Sequence, residues 1–185
     1  MRFLIGAGVT AFAVGAAPAV ASACEFPTTT KAFAPFGDTS DYFLASGGDF
    51  ETLTWQASYG AGLVDENEPF GLAPGVRSLR LDKDGSVTSP PLCVSRATPH
   101  LRFVADSSRG SGQLDVEVRV WENGKVTDSS TGSISPSDHR GWAPSRNVDL
   151  KTGDWGWGQT ATVTVRFKSQ GLWLIDNVFI DPYRR

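Results

Sequence analysis

Gln113-Leu114-Asp115-Val116-Glu117-Val118-Arg119-Val120-Trp121-Glu122-Asn123-Gly124 alternates apolar and polar residues with a period of two. In an extended chain Leu114, Val116, Val118 and Val120 share one face, and Asp115, Glu117, Arg119 and Trp121 share the other. Such a run is a half-buried strand, and the Asn-Gly that closes it supplies the two left-handed residues a tight hairpin needs. Residues 160–168 repeat the pattern, with Ala161, Val163, Val165 and Phe167 set against Thr162, Thr164, Arg166 and Lys168. Residues 172–181 read differently. Leu174, Val178 and Ile180 fall on one face and Trp173, Ile175 and Phe179 on the other. A strand apolar on both faces is expected in the centre of a sheet, here beside an opening strand near Phe50 or Trp55.

Shorter strand candidates lie at 42–45, 53–58, 77–81, 86–89, 101–105 and 126–130, separated by turn signals such as Gly47-Gly48, Pro74-Gly75 and Asp84-Gly85. No window sustains a helical period. Roughly eight to ten short strands without helices predict an all-β chain, a β-sandwich or jelly roll. The 185 residues carry 20 Gly and 11 Pro, with 40% hydrophobic and 20% charged content. That balance is globular and turn-rich, and it excludes a disordered, collagen-like or polytopic membrane chain. A net charge of −3 gives no electrostatic reason to bind nucleic acid or an anionic membrane.

The first 23 residues read as a secretory signal peptide: Arg2, an uncharged Ala/Gly/Val-rich stretch, then Ala21-Ser22-Ala23. The apolar run is broken by Pro18, short of the ~20 residues a transmembrane span requires. Cleavage would make Cys24 the first mature residue. Lipid anchoring at Cys24 is the weaker alternative, because Ala21 stands where the usual upstream Leu would be. The chain has two cysteines, and in an oxidising compartment Cys24 and Cys93 are expected to pair. Residues 24–41, broken by Phe26-Pro27 and Pro35-Phe36, read as an irregular arm lying on a sandwich domain of residues 42–185.

Two motifs carry a resemblance. Gly47-Gly48-Asp49-Phe50-Glu51, followed by Trp55, and the closing Trp173-Leu174-Ile175-Asp176-Asn177-Val178 resemble the jelly-roll carbohydrate-binding modules of galactose-binding-like fold. Over nearly the whole mature length, through Asn67-Glu68-Pro69-Phe70, the stretch 86–94 and the end 176–185, the chain is also similar to a family of secreted bacterial single-domain proteins that carries no established activity. The modules imply a structural Ca²⁺ held by Glu51 and Asp176, with Asp49 as helper; no cofactor is required. The alternative for Asp176 is a buried carboxylate satisfied by backbone or Arg hydrogen bonds. Asp82-x-Asp84-Gly85 looks like a calcium-loop fragment but lacks the remaining ligands, and reads as a hairpin turn.

Catalytic signatures are missing: there is no Gly-x-Ser-x-Gly, HExxH, P-loop or GxGxxG. His139 near Ser137 or Asp138 is a thin case for a base, so the chain is read as not an enzyme. The unexplained material is aromatic. Trp155 and Trp157 lie two residues apart in the Gly-spaced run 154–158, with Trp121 on a polar strand face and Trp142 in a loop. A flat ring over a sugar's CH surface, flanked by Asp154 or Arg140 to bond hydroxyls, is the physical solution for carbohydrate recognition. The competing reading has these rings capping the ends of the sandwich. The sequence therefore predicts a secreted, non-catalytic binder of an extracellular glycan through Trp155, Trp157, Asp154, Trp142, Arg140 and Trp121. The alternative is a structural or adhesive surface protein that contacts other proteins. Oligomeric state is not encoded in any pattern.

Overall fold

The computed structural model describes residues 27–152, 156 and 159–181. Among them the strands are β1 (Phe43–Leu44), β2 (Gln56–Ala57), β3 (Ala61–Val64), β4 (Ser78–Leu81), β5 (Ser86–Thr88), β6 (Leu92–Ser95), β7 (His100–Asp106), β8 (Leu114–Glu122), β9 (Lys125–Ile134), β10 (Ala143–Pro144), β11 (Val148–Asp149), β12 (Thr160–Ser169) and β13 (Trp173–Asp181). The helical content described is two single 3₁₀ turns, Ala34–Phe36 and Pro136–Asp138. One sheet runs β10-β7-β13-β4-β3, with β1 also paired to β13 and β11 to β7; the other runs β2-β5-β12-β8-β9, with β6 also paired to β12. The chain is an all-β sandwich of two antiparallel sheets.

The second sheet follows the alternation of its sequence. Val116, Val118 and Val120 of β8 and Val163, Val165 and Phe167 of β12 enter the core, where Phe167 stacks parallel to Trp55 at 5.7 Å and meets Phe103 edge-on at 4.9 Å. Asn123 and Gly124 join β8 to β9 with φ of 50° and 74°. These are the two left-handed residues that a type I′ hairpin demands.

β13 lies between β7 and β4, and every residue of it is buried. Its faces differ from the sequence reading. A bulge shifts the register between Asp176 and Phe179, with Asn177 at φ 52°. The extra residue reverses the phase, so Trp173, Ile175, Val178 and Ile180 all join the core while Phe179 faces outward. The opening segment beside β13 is β1 and the backbone of residues 45–48, through Ala45 N–H to the Val178 carbonyl (2.8 Å) and Val178 N–H to Gly48 (2.9 Å). Phe50 and Trp55 do not pair with β13; they pack in the core, 5.2 Å apart. The turn at 82–85 is not a hairpin either, for it carries the chain from β4 in the first sheet to β5 in the second.

The outer side of β13 is covered by the arm. Phe33 is fully buried, with its ring edge-on to Tyr42 (4.9 Å) and Phe179 (5.6 Å). Leu72 and Ala73 pack on the same cluster. Arg102 lies 4.3 Å over the Phe33 ring and donates to Asp38 at 2.5 Å, and Tyr42 Oη donates to the same carboxylate oxygen at 2.6 Å. Burial pushes Asp38 up, but the hydrogen bonds from Tyr42 and Ser40 and the charge of Arg102 outweigh it and hold the carboxyl at about 2. Among the described residues the arm thus covers the outer face of β13, and no segment covers the outer face of the second sheet.

Candidate functional site

The outer face of the second sheet is built by register. Trp121 on β8 stands opposite Thr162 on β12, Arg119 opposite Thr164, and Glu117 opposite Arg166. Opposite Trp121 on its other side is Val126, where β9 shifts register and leaves Thr127 as an extra residue. The indole Nε1–H donates to Thr164 Oγ1 at 2.9 Å, which fixes the ring over β12. Pro91, Trp121, Asn123, Gly124, Thr162 and Thr164 line an open depression of about 490 Å³. A half-buried indole beside two threonine hydroxyls offers an apolar plane and hydrogen-bonding groups side by side.

Further along β12 a second depression, about 230 Å³, is lined by Gln56, Ser58, Ser86, Thr88, Arg119 and Arg166. Arg119 grips Glu117 with both arms of its fork, at 2.8 and 3.0 Å. Tyr59 follows Ser58 and is 100% exposed. Its turn lies against the 82–85 turn so closely that a Cβ on Gly85 would collide with the Gly60 carbonyl. These groups escaped the sequence reading. The alternation puts Arg119, Thr162, Thr164 and Arg166 on the polar faces of their strands, but their convergence depends on the β8–β12 register, which no local pattern shows.

Of the predicted ligand residues, Trp121 lines the first depression. Trp142 is half-buried just before β10, at the edge of the other sheet, and Arg140 is exposed in the same loop; neither lines either depression. Trp155, Trp157 and Asp154 lie outside the described residues. His139 is buried, its ring 5.6 Å from Trp173, with Nδ1 3.3 Å from the Ser135 carbonyl oxygen, and burial lowers its pKa. Ser137 Oγ instead donates to Asp138 at 3.0 Å. Cys93 is exposed on β6 and is not a free thiol, while Cys24 lies outside the described residues.

The expected Ca²⁺ ligands are held in another way. Glu51 Oε1 accepts from the N–H groups of Val76 (2.7 Å) and Arg77 (2.8 Å). Glu68, to which the sequence reading gave no site role, accepts from Phe70, from Gly71 (3.1 Å), from Leu72 (2.7 Å) and from Asn177 Nδ2 (3.0 Å). Asp176 is fully buried beside them, and burial, with the charges of Glu68 and Glu51 added, pushes its carboxyl up to about 8. Asp49 is only half-buried. Among the described residues no group of three His, Cys, Asp or Glu side chains is placed to hold a metal. The N–H groups aimed at Glu51 and Glu68 satisfy part of the acceptor capacity of these carboxylates.

No protein-family model and no curated protein matches the sequence. Among solved structures, the fold is similar to the CBM22-1-CBM22-2 tandem at the N-terminus of Xyn10C from Paenibacillus barcinonensis, with a TM-score of 0.50 and 13% identity over 79% of this chain and 46% of that one. Two further similar structures are the CBM22-1 xylan-binding domain of the same protein (TM-score 0.49, 14% identity, 75% of this chain and 93% of that one) and the family 11 carbohydrate-binding module of the cellulase Lic26A-Cel5E of Clostridium thermocellum (0.46, 14%, 76% and 94%). At 13% identity, what is shared with the tandem is the β-sandwich fold.

Proposed function

We propose that the chain is a secreted, non-catalytic carbohydrate-binding module that holds a glycan across the outer face of the second sheet. The observation that carries this reading is the depression in which Trp121, fixed by Thr164, lies beside Thr162 on the outer face of the second sheet. A pyranose stacked on the indole buries its CH surface while its hydroxyls reach the threonines. Asp154, Trp155 and Trp157 precede β12 in sequence, and we assign these residues to the same binding function. Secretion, through the leader at 1–23, and a Cys24–Cys93 bond belong to this reading; that Cys93 is not a free thiol supports the bond.

Affinity electrophoresis and calorimetry against soluble xylan, galactan, mixed-linkage glucan and uronic-acid polymers test the proposal. At least one should bind, and Trp121→Ala should weaken it about tenfold or more, with base–aromatic stacking of ~1–3 kcal/mol as the analogue. Binding to none of these polymers, or binding indifferent to Trp121, overturns it.

A further inference from the structure

Three arginines among the described residues are half-buried: Arg102, Arg119 and Arg166. Arg102 has Asp38, and Arg119 has Glu117. Arg166 has no carboxylate within ion-pair reach among the described residues, although its cross-strand neighbour on β8 is Glu117, because the Arg119 fork already takes both oxygens of that carboxylate. A guanidinium that has lost part of its hydration without gaining an anion is an incomplete pair.

Its orientation is set by a relay. Ser86 Oγ accepts from Arg166 Nη2 at 3.0 Å and donates to Ser58 Oγ at 3.0 Å, and Ser58 Oγ also accepts the Ser86 backbone N–H at 2.9 Å. The depression this guanidinium lines has two cations and no carboxylate in its wall. It lies on the same sheet face as Trp121. Along β12 the Cα of Arg166 is four residues from that of Thr162, roughly 13 Å at the rise of a strand, a span of a few sugar rings.

We propose that Arg166 binds the carboxylate of a uronic-acid residue, so that the glycan this face takes is an acidic polysaccharide. This rests on the glycan reading above and names its substrate class. A planar fork with unused N–H donors matches a carboxylate in two parallel hydrogen bonds, where a neutral sugar hydroxyl satisfies one donor at a time. Since the whole chain carries a net charge of −3, the attraction is local to this depression and does not make the protein a general polyanion binder.

The test compares polygalacturonate and alginate with their carboxyl-reduced forms, which keep the chain and lose the charge. Wild type should bind at least one acid form about tenfold or more tightly than its reduced form, as a charge-assisted pair requires, and the preference should fade with added salt. Arg166→Gln should bring the two affinities within about twofold of each other, and Arg166→Lys, which keeps the charge without the fork, should retain part of the preference. Should Arg166→Gln fail to fold, the acid-against-reduced comparison and the salt series on wild type decide alone. Equal binding of acid and reduced polymers, or of neutral xylan or galactan above both, overturns the carboxylate assignment and leaves the glycan reading standing. A stronger response to dextran sulfate than to either uronate polymer also overturns it, and binding to no polymer removes both proposals together.

Discussion

Phe33→Ala tests whether the arm covers the outer face of β13. The Phe33 ring is fully buried, edge-on to Tyr42 and Phe179, tilted against Phe36 at 6.3 Å and capped by Arg102 at 4.3 Å. Removing a buried phenyl costs about 3–5 kcal/mol. The cation–π contact with a guanidinium 13% exposed contributes about 0.5–2 kcal/mol within that range. For a chain of this size, 3–5 kcal/mol corresponds to a fall in unfolding temperature of roughly 6–20 °C. Calorimetry reads the loss, and hydrogen exchange should show weaker protection at the amides of β1 and the C-terminal half of β13, with β8 and β12 unchanged relative to global unfolding. Any glycan affinity of the folded fraction should stay at the wild-type value, because Phe33 and Trp121 serve opposite sheets. A loss below ~1 kcal/mol with unaltered exchange at Phe179 and Ile180 would refute the reasoning, since the arm would then not cover β13 in solution.

Acid should weaken the same clamp. Asp38 titrates at about 2 in the fold against 3.8 in a model compound, so its contribution is present above pH 3.8 and is lost as pH falls from there through 2; screened for a side chain 26% exposed, it is on the order of 1–2 kcal/mol. Denaturant unfolding at pH 6 and near pH 2 should show that loss in wild type and a smaller one in Asp38→Asn. Gly85→Ala forces a methyl against the Gly60 carbonyl and should destabilise the chain by about 1–3 kcal/mol in chemical denaturation, and an unchanged midpoint would mean that the two turns sit further apart. Adding Ca²⁺ or EGTA should leave the unfolding temperature unchanged, whereas a Ca²⁺-dependent rise would show that Glu51 and Asp176 exchange their N–H donors for a cation.

Sequence alone shows a strand where alternation runs without interruption. In β8 and β12 it does, and the inward Val and Phe residues could be read position by position. In β13 one inserted residue at the bulge inverts the faces, and nothing in Trp173-Leu174-Ile175-Asp176-Asn177-Val178 marks it except an Asn, a residue that tolerates left-handed backbone. Asp84-Gly85 shows the same limit, since a hairpin and a crossing between sheets ask for the same turn chemistry.

The site divides along that line. Trp121 was legible because an indole on a polar strand face is anomalous in one strand taken alone. Arg166 was not, because its meaning lies in a competition between strands: Arg119, two residues from Glu117 on β8, takes the carboxylate that Arg166 faces from β12. Only the register shows that one arginine is satisfied and the other is not. The arm completes the reasoning from the opposite side of the sandwich. Its irregular Phe and Pro residues look unstructured in sequence, yet they seal the outer face of β13, while among the described residues the Arg166 guanidinium, with no carboxylate partner, and the fixed indole share the outer face of the other sheet.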